Sequence, residues 1–412
     1  MTSDLGVWSV RLLALGAMLT VLFLLPPAAR ADDAFRQFIE SLWPNAQALG
    51  VSRGTFDTAT RGLEPDLTLP DLAIAGRPER PEPGQPEFVQ TPADYLRETS
   101  FVRLAAQGRK LGAQYRETLT RIEQEFGVPG TIVLAIWGRE SNYSTNYGGR
   151  DAIQVLATQA YVGRRKEFFR NEFLYALKML EDSVPRTKLR SSWGGAMGLT
   201  QFLPSEYYKY GVDFEHKGGV DIWTSVPDAL ASAAKQLVGE GWERDKPWAY
   251  EVRVPANVDC TLANPDHKKP LAEWLNRGFA LAHGRKPRPR DLTEPASLLL
   301  PAGIYGPGFL IFHNYFALKE YNFSDLYVLF VGHLADRLTD ERPFETPWSK
   351  VVQLKTADLE RMQRLLTARG FYADKIDGKA GMKTRLALGA YQKANGLKLD
   401  CWPTASALAH MQ

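Results

Sequence analysis

The chain has 412 residues, of which 44% are hydrophobic and 24% are charged, so it is long enough for two or three globular domains. Lys plus Arg number 50 and Asp plus Glu number 47, so no general excess of positive charge indicates a nucleic-acid partner. The 2 cysteines are too few for a disulfide scaffold or a zinc site.

Residues 1–31 are predicted to be an export signal. A nearly continuous apolar run from Leu12 to Leu25 precedes Ala29 and Ala31, which give the small-residue pattern of a signal-peptidase site. The alternative is an uncleaved membrane anchor, because the run is long for a signal but short for a spanning helix. No cysteine near the cleavage region can accept a lipid. We therefore expect a periplasmic protein without stable membrane insertion once the signal is removed.

The two cysteines lie far apart, with Cys260 after a strand-like run and Cys401 near the C-terminus. In an oxidising compartment they can form a disulfide bond. Two buried, unpaired thiols are an equally good interpretation, so both states stay open.

A helix is predicted to begin near Pro129 and to carry Glu140 close to its end. Gly127 can end the preceding helix in the left-handed conformation, and the φ angle of Pro129 suits a first helical turn. At 3.6 residues per turn, Glu140 continues the apolar stripe that includes Ile136 and Trp137. We therefore expect Glu140 to point inward. Burial and the helix carbonyl end would then raise its pKa and suit it to protonate a leaving-group oxygen.

A second interpretation of Glu140 is also open. Its side chain can turn outward and form an ion pair with Arg139 or Arg150. The motifs further along the chain favour the inward orientation.

A glycine-rich stretch from Ser191 to Ser205 is predicted to lie close to a bound ligand. Its glycines let a ligand approach the backbone, and Ser192 and Gln201 offer neutral hydrogen-bonding groups. This composition suits an uncharged, polyhydroxylated ligand better than a phosphate, which would call for a Gly-Lys-Ser loop.

The segment from Asp213 to Thr224 has the shape of a calcium-binding EF-hand loop with two departures. Asp213, Glu215 and Asp221 fall at ligand positions one, three and nine. Lys217 occupies position five, where a charged ammonium cannot bind calcium, and Thr224 replaces the final bidentate glutamate. We expect a metal-free turn and no cofactor, with bound calcium as the alternative.

The rest of the chain is predicted to be helical, apart from a small β element inserted between residues 248 and 300. Tyr321 and Asn322 lie between two helical stretches, where their side chains can face a cleft. The alternative for this pair is a helix-capping Asn beside a core Tyr. A composition shift indicates a linker at 341–350, and the compact unit at 351–412 is expected to serve in binding or spacing.

Four motifs in order resemble those of the membrane-bound lytic transglycosylase B family, a resemblance that spans residues 35 to 340. They are the segments 85–88, 137–141, 193–205 and 319–322. Residues 351–412, with Gly370-Phe371 and Ile376-Asp377-Gly378, resemble the three-helix peptidoglycan-binding domain. The catalytic domain would then occupy residues 32–340.

The resemblance implies a mainly α fold: a lysozyme-like helical catalytic domain with a small inserted β element, and a small three-helix C-terminal domain. It implies that peptidoglycan glycan strands are the partner, cleaved between N-acetylmuramic acid and N-acetylglucosamine. Glu140 matches the family's single catalytic acid and base. The residues that match its glycan-binding cleft are Ser192, Gln201, Tyr321, Asn322 and Tyr327. The family's calcium site matches residues 213 to 228, where Lys217 departs from the acidic pattern.

Glu140 is the one candidate carboxylate, and the motifs contain no second Asp or Glu placed to face it. This arrangement is consistent with cleavage assisted by the substrate. Glu140 would protonate the glycosidic oxygen and then accept the proton of the C6 hydroxyl, which closes a 1,6-anhydro ring. The alternatives are a muramidase that hydrolyses the same bond and a non-catalytic peptidoglycan-binding protein.

Overall fold

The computed structural model describes residues 27–74, 86–144, 148–349 and 351–412, with side chains from residue 33 onward. Most of these residues are helical, and one small sheet lies in the second half of the chain, as predicted. The predicted export signal at 1–31 lies outside the described residues except for its last part, where the first helix begins at Pro27. In the described part of the chain, no helix is long and apolar enough to cross a bilayer.

Two hydrophobic cores are built mainly from helices of the first 240 residues. These helices are α1 (Pro27–Ser41), α2 (Trp43–Ala48), α3 (Arg53–Thr60), α4 (Pro86–Val89), α5 (Pro92–Tyr95), α6 (Glu98–Gln114), α7 (Arg116–Phe126), α8 (Gly130–Ser141), α9 (Ala152–Val162), α10 (Lys166–Glu181), α11 (Pro204–Tyr210) and α12 (Val226–Gly239). A short antiparallel ribbon joins β1 (Arg150–Asp151) to β2 (Arg190–Ser191).

The second half of the chain contains the sheet, two further helices of the first domain and the C-terminal unit. The sheet region comprises β3 (Ala249–Arg253), β4 (Lys269–Pro270), α13 (Leu271–Asn276), β5 (Ala280–Leu281), β6 (Pro295–Leu299), β7 (Pro301–Ile304) and β8 (Gly308–Ile311). The helices that follow are α14 (His313–Tyr321), α15 (Asp325–Arg337), α16 (Thr356–Ala368), α17 (Met382–Ala394) and α18 (Ala405–His410).

Helix α8 is the central helix of the larger core. Its residues from Ile132 to Trp137 are all buried, as expected for a helix enclosed by other helices. Gly127 ends α7 in the left-handed conformation with φ 71°, and Pro129 is the N-cap of α8. The predicted start of this helix is therefore confirmed.

The small sheet is antiparallel, with the strand order β4-β6-β8-β3-β5. Both faces are covered. Leu299 and Phe309 contribute to the larger core, whereas Leu298 and Leu310 belong to a separate core with Trp274. This alternation follows from the two-residue period of a strand. Since α14 and α15 follow directly, the chain returns from the sheet to the larger core.

Helices α16, α17 and α18 form the predicted three-helix unit around Met362, Leu366 and Leu388. A disulfide bond between Cys260 and Cys401 attaches this unit to the sheet region across a sequence separation of 141 residues. The state of the two cysteines, which the sequence leaves open, is thus the bonded one.

The predicted linker at 341–350 lies against the first domain in its described part. The rings of Phe344 and His333 stack with centroids 3.7 Å apart, and Glu345 forms an ion pair with Arg253. Glu251 accepts a hydrogen bond from the backbone N–H of Thr346 at 3.0 Å. The described part of the segment therefore packs against the first domain and forms polar contacts with it.

Candidate active site

Glu140 lies in the last turn of α8, where this helix leaves the larger core. The apolar residues before it are buried, whereas Glu140 keeps partial exposure to solvent. Ser141, the last residue of α8, donates through Oγ to the carbonyl oxygen of Leu199 at 2.9 Å. This bond attaches the end of α8 to the glycine-rich stretch.

Tyr327 binds the Glu140 carboxyl group directly. Its hydroxyl donates to Oε1 of Glu140 at 2.5 Å, and its side chain is buried. Tyr327 lies in the first turn of α15, which begins at Asp325 and packs against α8. Two buried helices therefore fix the position of the tyrosine relative to the glutamate.

Tyr321 connects this pair to the glycine-rich stretch. The rings of Tyr321 and Tyr327 are parallel within 8°, with centroids 6.3 Å apart. The hydroxyl of Tyr321 donates to the carbonyl oxygen of Thr200 at 2.7 Å, next to the peptide bound by the end of α8. Together these contacts form a closed circuit, which runs from Glu140 through Tyr327 and Tyr321 to the glycine-rich stretch and back to the end of α8.

Gln201 and Ser192, two of the residues predicted to bind the glycan, lie on the glycine-rich stretch with local contacts. Gln201 has φ 57° and donates through Nε2 to the carbonyl oxygen of Gly198 at 3.0 Å. The Ser192 hydroxyl accepts from the backbone N–H groups of Gly194 and Ala196, both at 3.3 Å. Gln201 follows the peptide that binds Tyr321, so it lies beside this circuit. Ser192 forms its hydrogen bonds within its own turn.

Asn322 is held by two neighbours at the start of α15. Its Nδ2 donates to Oε1 of Glu87 at 3.1 Å, and its Oδ1 accepts from the backbone N–H of Ser324 at 3.1 Å. Ser324 in turn donates through Oγ to the backbone carbonyl of Glu87 at 3.1 Å. These bonds hold Asn322 next to the predicted cleft, whereas the side chain that caps α15 is that of Ser324.

The ion pairs proposed in the outward-facing interpretation of Glu140 are not formed. Arg139 donates through Nε and Nη2 to the Tyr95 hydroxyl, at 2.9 and 2.6 Å. Arg150 pairs instead with Asp66 at 2.7 Å. Both guanidinium groups thus have other partners, and the inward interpretation agrees with the structure.

The environment of Glu140 favours its protonated form. Burial raises the pKa of Glu140 above the usual carboxyl value, because a charged carboxylate loses hydration there. The positive charge of Arg139 and the hydrogen bond from Tyr327 lower this pKa in part, while the negative charge of Glu87 raises it further. The net direction is upward, as predicted.

Two carboxyl groups near Glu140 were missed as neighbours in the sequence analysis. Glu87 lies in the motif at 85–88, whose first residue falls outside the described residues, and its charge acts on Glu140. Burial is the main cause that raises the pKa of Glu206 to about 7, and the charge of Glu140 contributes to this shift. The sequence signal for Glu206 is its place three residues after the N-cap of α11, where it accepts from the backbone N–H of Leu203 at 2.8 Å.

The acidic side chains of the EF-hand-like loop have partners within the protein. The Asp213 carboxylate accepts from backbone N–H groups within the loop, and Glu215 pairs with Lys217 at 2.6 Å. Asp221 pairs with Lys188 at 3.0 Å. Among the described residues, no group of three or more His, Cys, Asp or Glu side chains could hold a metal. A metal-free loop stays a prediction.

Removal of divalent cations tests that prediction. Because Lys217 already neutralises Glu215, we expect EDTA to leave the thermal unfolding midpoint unchanged. Differential scanning calorimetry with excess calcium, with excess magnesium and with EDTA provides the measurement. A midpoint that rises with calcium alone would show that the loop binds this ion.

The fold defines the class: a lysozyme-like helical protein that presents one protonatable glutamate at the end of a buried helix. Residues 34–336 match the transglycosylase SLT domain, so the chain belongs to this family. Residues 355–411 match a peptidoglycan binding domain. The resemblance found in the sequence is therefore confirmed.

Several known proteins are similar to this chain. Membrane-bound lytic murein transglycosylase B of Escherichia coli (strain K12) is 32% identical over 226 residues, which cover 54% of this chain and 60% of that protein. The chain thus spans less than two thirds of this relative's length. The structure of SltB3 from Pseudomonas aeruginosa in complex with NAG-anhNAM-pentapeptide has 39% identity and a TM-score of 0.79, covering 92% of this chain and 99% of that one. The structure of its complex with NAG-NAM-pentapeptide has 38% identity and a TM-score of 0.80, with the same coverage of both chains.

Proposed function

We propose that this protein is a lytic transglycosylase that cleaves the β-1,4 bond between N-acetylmuramic acid and N-acetylglucosamine and leaves 1,6-anhydromuramic ends. The observation that carries the proposal is a half-buried Glu140 whose pKa is raised while Tyr327 donates to its carboxyl group. A glutamate whose pKa is raised keeps its proton to higher pH than an ordinary carboxyl group and can act as a general acid. The SltB3 complexes with peptidoglycan fragments support the substrate class.

The reaction uses Glu140 twice. The protonated carboxyl group gives its proton to the glycosidic oxygen as the bond from this oxygen to C1 of muramic acid breaks. The 2-acetamido carbonyl of the same sugar stabilises the positive charge that develops at C1. The C6 hydroxyl then forms a bond to C1 and passes its proton to the Glu140 carboxylate, so the ring closes and the acid is regenerated.

Neutral groups around Glu140 would orient the sugar. Gln201, Tyr321 and Asn322 lie on the segments that surround the carboxyl, and Ser192 lies further along the glycine-rich stretch. Their partners on the protein hold them in place before substrate binds, which lowers the entropy lost in the reaction. Their contribution would be positioning rather than charge.

The C-terminal domain would hold peptidoglycan strands near the catalytic site. Its match to a peptidoglycan binding domain supports this role. The apolar run that precedes Ala29 and Ala31 supports export to the periplasm by a cleaved signal. Strands of the cell wall are then the partner that both domains share.

Product analysis tests the proposal. The purified protein, incubated with sacculi, is expected to release muropeptides with anhydromuramic ends, identified by mass spectrometry. Reducing muramic ends would instead establish a hydrolytic muramidase, since water would have attacked C1. Binding without any cleavage would establish a non-catalytic peptidoglycan-binding protein.

Tyr327→Phe is expected to move the pH dependence of kcat. The hydrogen bond from Tyr327 stabilises the charged form of Glu140, so its loss raises the pKa of Glu140 further. Cleavage requires the protonated acid and declines as pH rises through this pKa. The decline should therefore occur at higher pH in the variant than in the wild type, in steady-state rates on a soluble glycan fragment. An unmoved decline would contradict this assignment of the hydrogen bond.

A further inference from the structure

The C-terminal domain contacts the catalytic domain at the first turn of α15. Arg385, on α17, donates through Nη2 to Oδ2 of Asp325 at 3.0 Å. Both side chains are almost fully buried, at 8% and 7% exposure. The guanidinium therefore belongs to an interior ion pair that joins the two domains, unlike an exposed pair, which contributes little.

The carboxylate of Asp325 accepts hydrogen bonds from three side chains. Besides Arg385, its Oδ1 accepts from the Tyr315 hydroxyl at 2.9 Å and from Lys319 Nζ at 2.5 Å. Burial alone would raise the pKa of Asp325, but the charges of Lys319 and Arg385 hold it well below its usual range. The buried carboxylate is charged, so removal of any of these partners leaves it less well compensated.

The position of Asp325 is coupled to that of Tyr327. Asp325 is the first residue of α15, and Tyr327 lies two residues further in the same turn, with its hydroxyl on Glu140. A cavity of about 200 Å³, lined by Arg385, Asp325 and Lys379 among others, lies between the two domains at this point. The turn therefore has open space beside it, and the ion pair connects it to α17.

We propose that Arg385 is a positioning residue for the catalytic site: by holding Asp325, it keeps the first turn of α15 where Tyr327 binds Glu140. This inference rests on the proposed function of Glu140 as the acid. The domain that binds peptidoglycan is then also a structural part of the catalytic site, and full activity requires it to be docked.

The test compares Arg385→Gln with Lys393→Gln in the full chain. Both residues lie on α17 and both pair with the first domain, but Lys393 binds Asp259, beside the disulfide and not on α15. With a soluble peptidoglycan tetrasaccharide, R385Q should lower kcat by up to about a hundredfold, because displacing a catalytic group by about 1 Å has an effect of this size. KM should change little, and K393Q should keep the wild-type kcat.

The pH profile separates positioning from a loss of stability. The charged and titratable groups that face Glu140 are Arg139 on α8, Glu87 on α4, Tyr95 on α5, Glu206 on α11, Tyr321 on α14 and Tyr327 on α15. If R385Q displaces the Tyr327 hydroxyl, the decline of kcat should move to higher pH, as it should in Tyr327→Phe. A merely structural role of Arg385 would lower the thermal midpoint and leave the decline in place.

A wild-type kcat in R385Q would overturn the inference, and so would a decline of kcat that stays at the wild-type pH. Should R385Q lose its cooperative thermal transition, Arg385→Lys takes its place, because it keeps the charge but not the guanidinium geometry, and the same outcomes apply. The proposed function is tested separately, by product analysis of the wild-type protein. It fails if that protein releases reducing muramic ends or no product.

Discussion

Replacing Glu140 with glutamine is expected to lower the rate of anhydromuramic product formation by about a thousandfold, within the range known for the loss of general acid and base catalysis. The amide has the shape of the carboxyl group and can accept the hydrogen bond of Tyr327, but its NH2 group is too weak an acid to protonate the glycosidic oxygen. Mass spectrometry of digested sacculi, followed over time, measures the loss.

Glu206→Gln is the matched control for this experiment. Glu206 also has a raised pKa, of about 7, and lies close enough to Glu140 for their charges to interact. It accepts from the backbone N–H of Leu203 and from Gln236, so its contacts are structural. We expect this variant to retain most of the wild-type rate. If Glu206→Gln were the inactive variant and Glu140→Gln the active one, the acid would have been assigned to the wrong carboxyl group.

Removal of the disulfide by Cys260→Ala with Cys401→Ala is expected to lower the free energy of unfolding by about 4 kcal/mol, since the bond closes a loop of well over a hundred residues. Both cysteines are buried at the contact between the sheet region and α17. A Cβ atom added to Gly389 would lie 2.3 Å from the sulfur of Cys401, so the helix approaches the bond closely. Urea denaturation, monitored by tryptophan fluorescence, measures the change.

Reductant supplies the control for this prediction. The wild-type protein should move towards the midpoint of the double variant when the bond is reduced, and the double variant should not respond. Trp402, next to the disulfide and buried, reports on the C-terminal domain in the fluorescence signal. Equal midpoints for the oxidised wild type and the double variant would contradict a stabilising role for the bond.

The part of the site that depends on neighbouring residues could be predicted from the sequence. The left-handed Gly127, the N-capping Pro129 and the apolar residues before Glu140 are local signals, and the helix they predict is present. The inward orientation of Glu140 follows from helical periodicity. The order of four motifs predicted the lysozyme-like fold and the family. The match of residues 34–336 to the transglycosylase SLT domain confirms this prediction.

Contacts between distant segments could not be predicted in this way. Tyr327 binds Glu140 across 187 residues, and Asn322 binds Glu87 across 235. Such pairs depend on how helices pack, and no local pattern encodes them. The same holds for the attachment of the C-terminal unit, which reads as a separable domain in the sequence but is held by an interior ion pair and a disulfide bond.

The disulfide gives the C-terminal domain a second covalent attachment besides the chain itself. A protease that cuts the segment between α15 and α16 would therefore not release this domain, because Cys260 and Cys401 lie on opposite sides of the cut. The nicked protein would migrate as one species on a denaturing gel without reductant and as two fragments with it. Under the proposed function, a single cleavage in this segment would thus leave the peptidoglycan-binding domain attached to the catalytic domain.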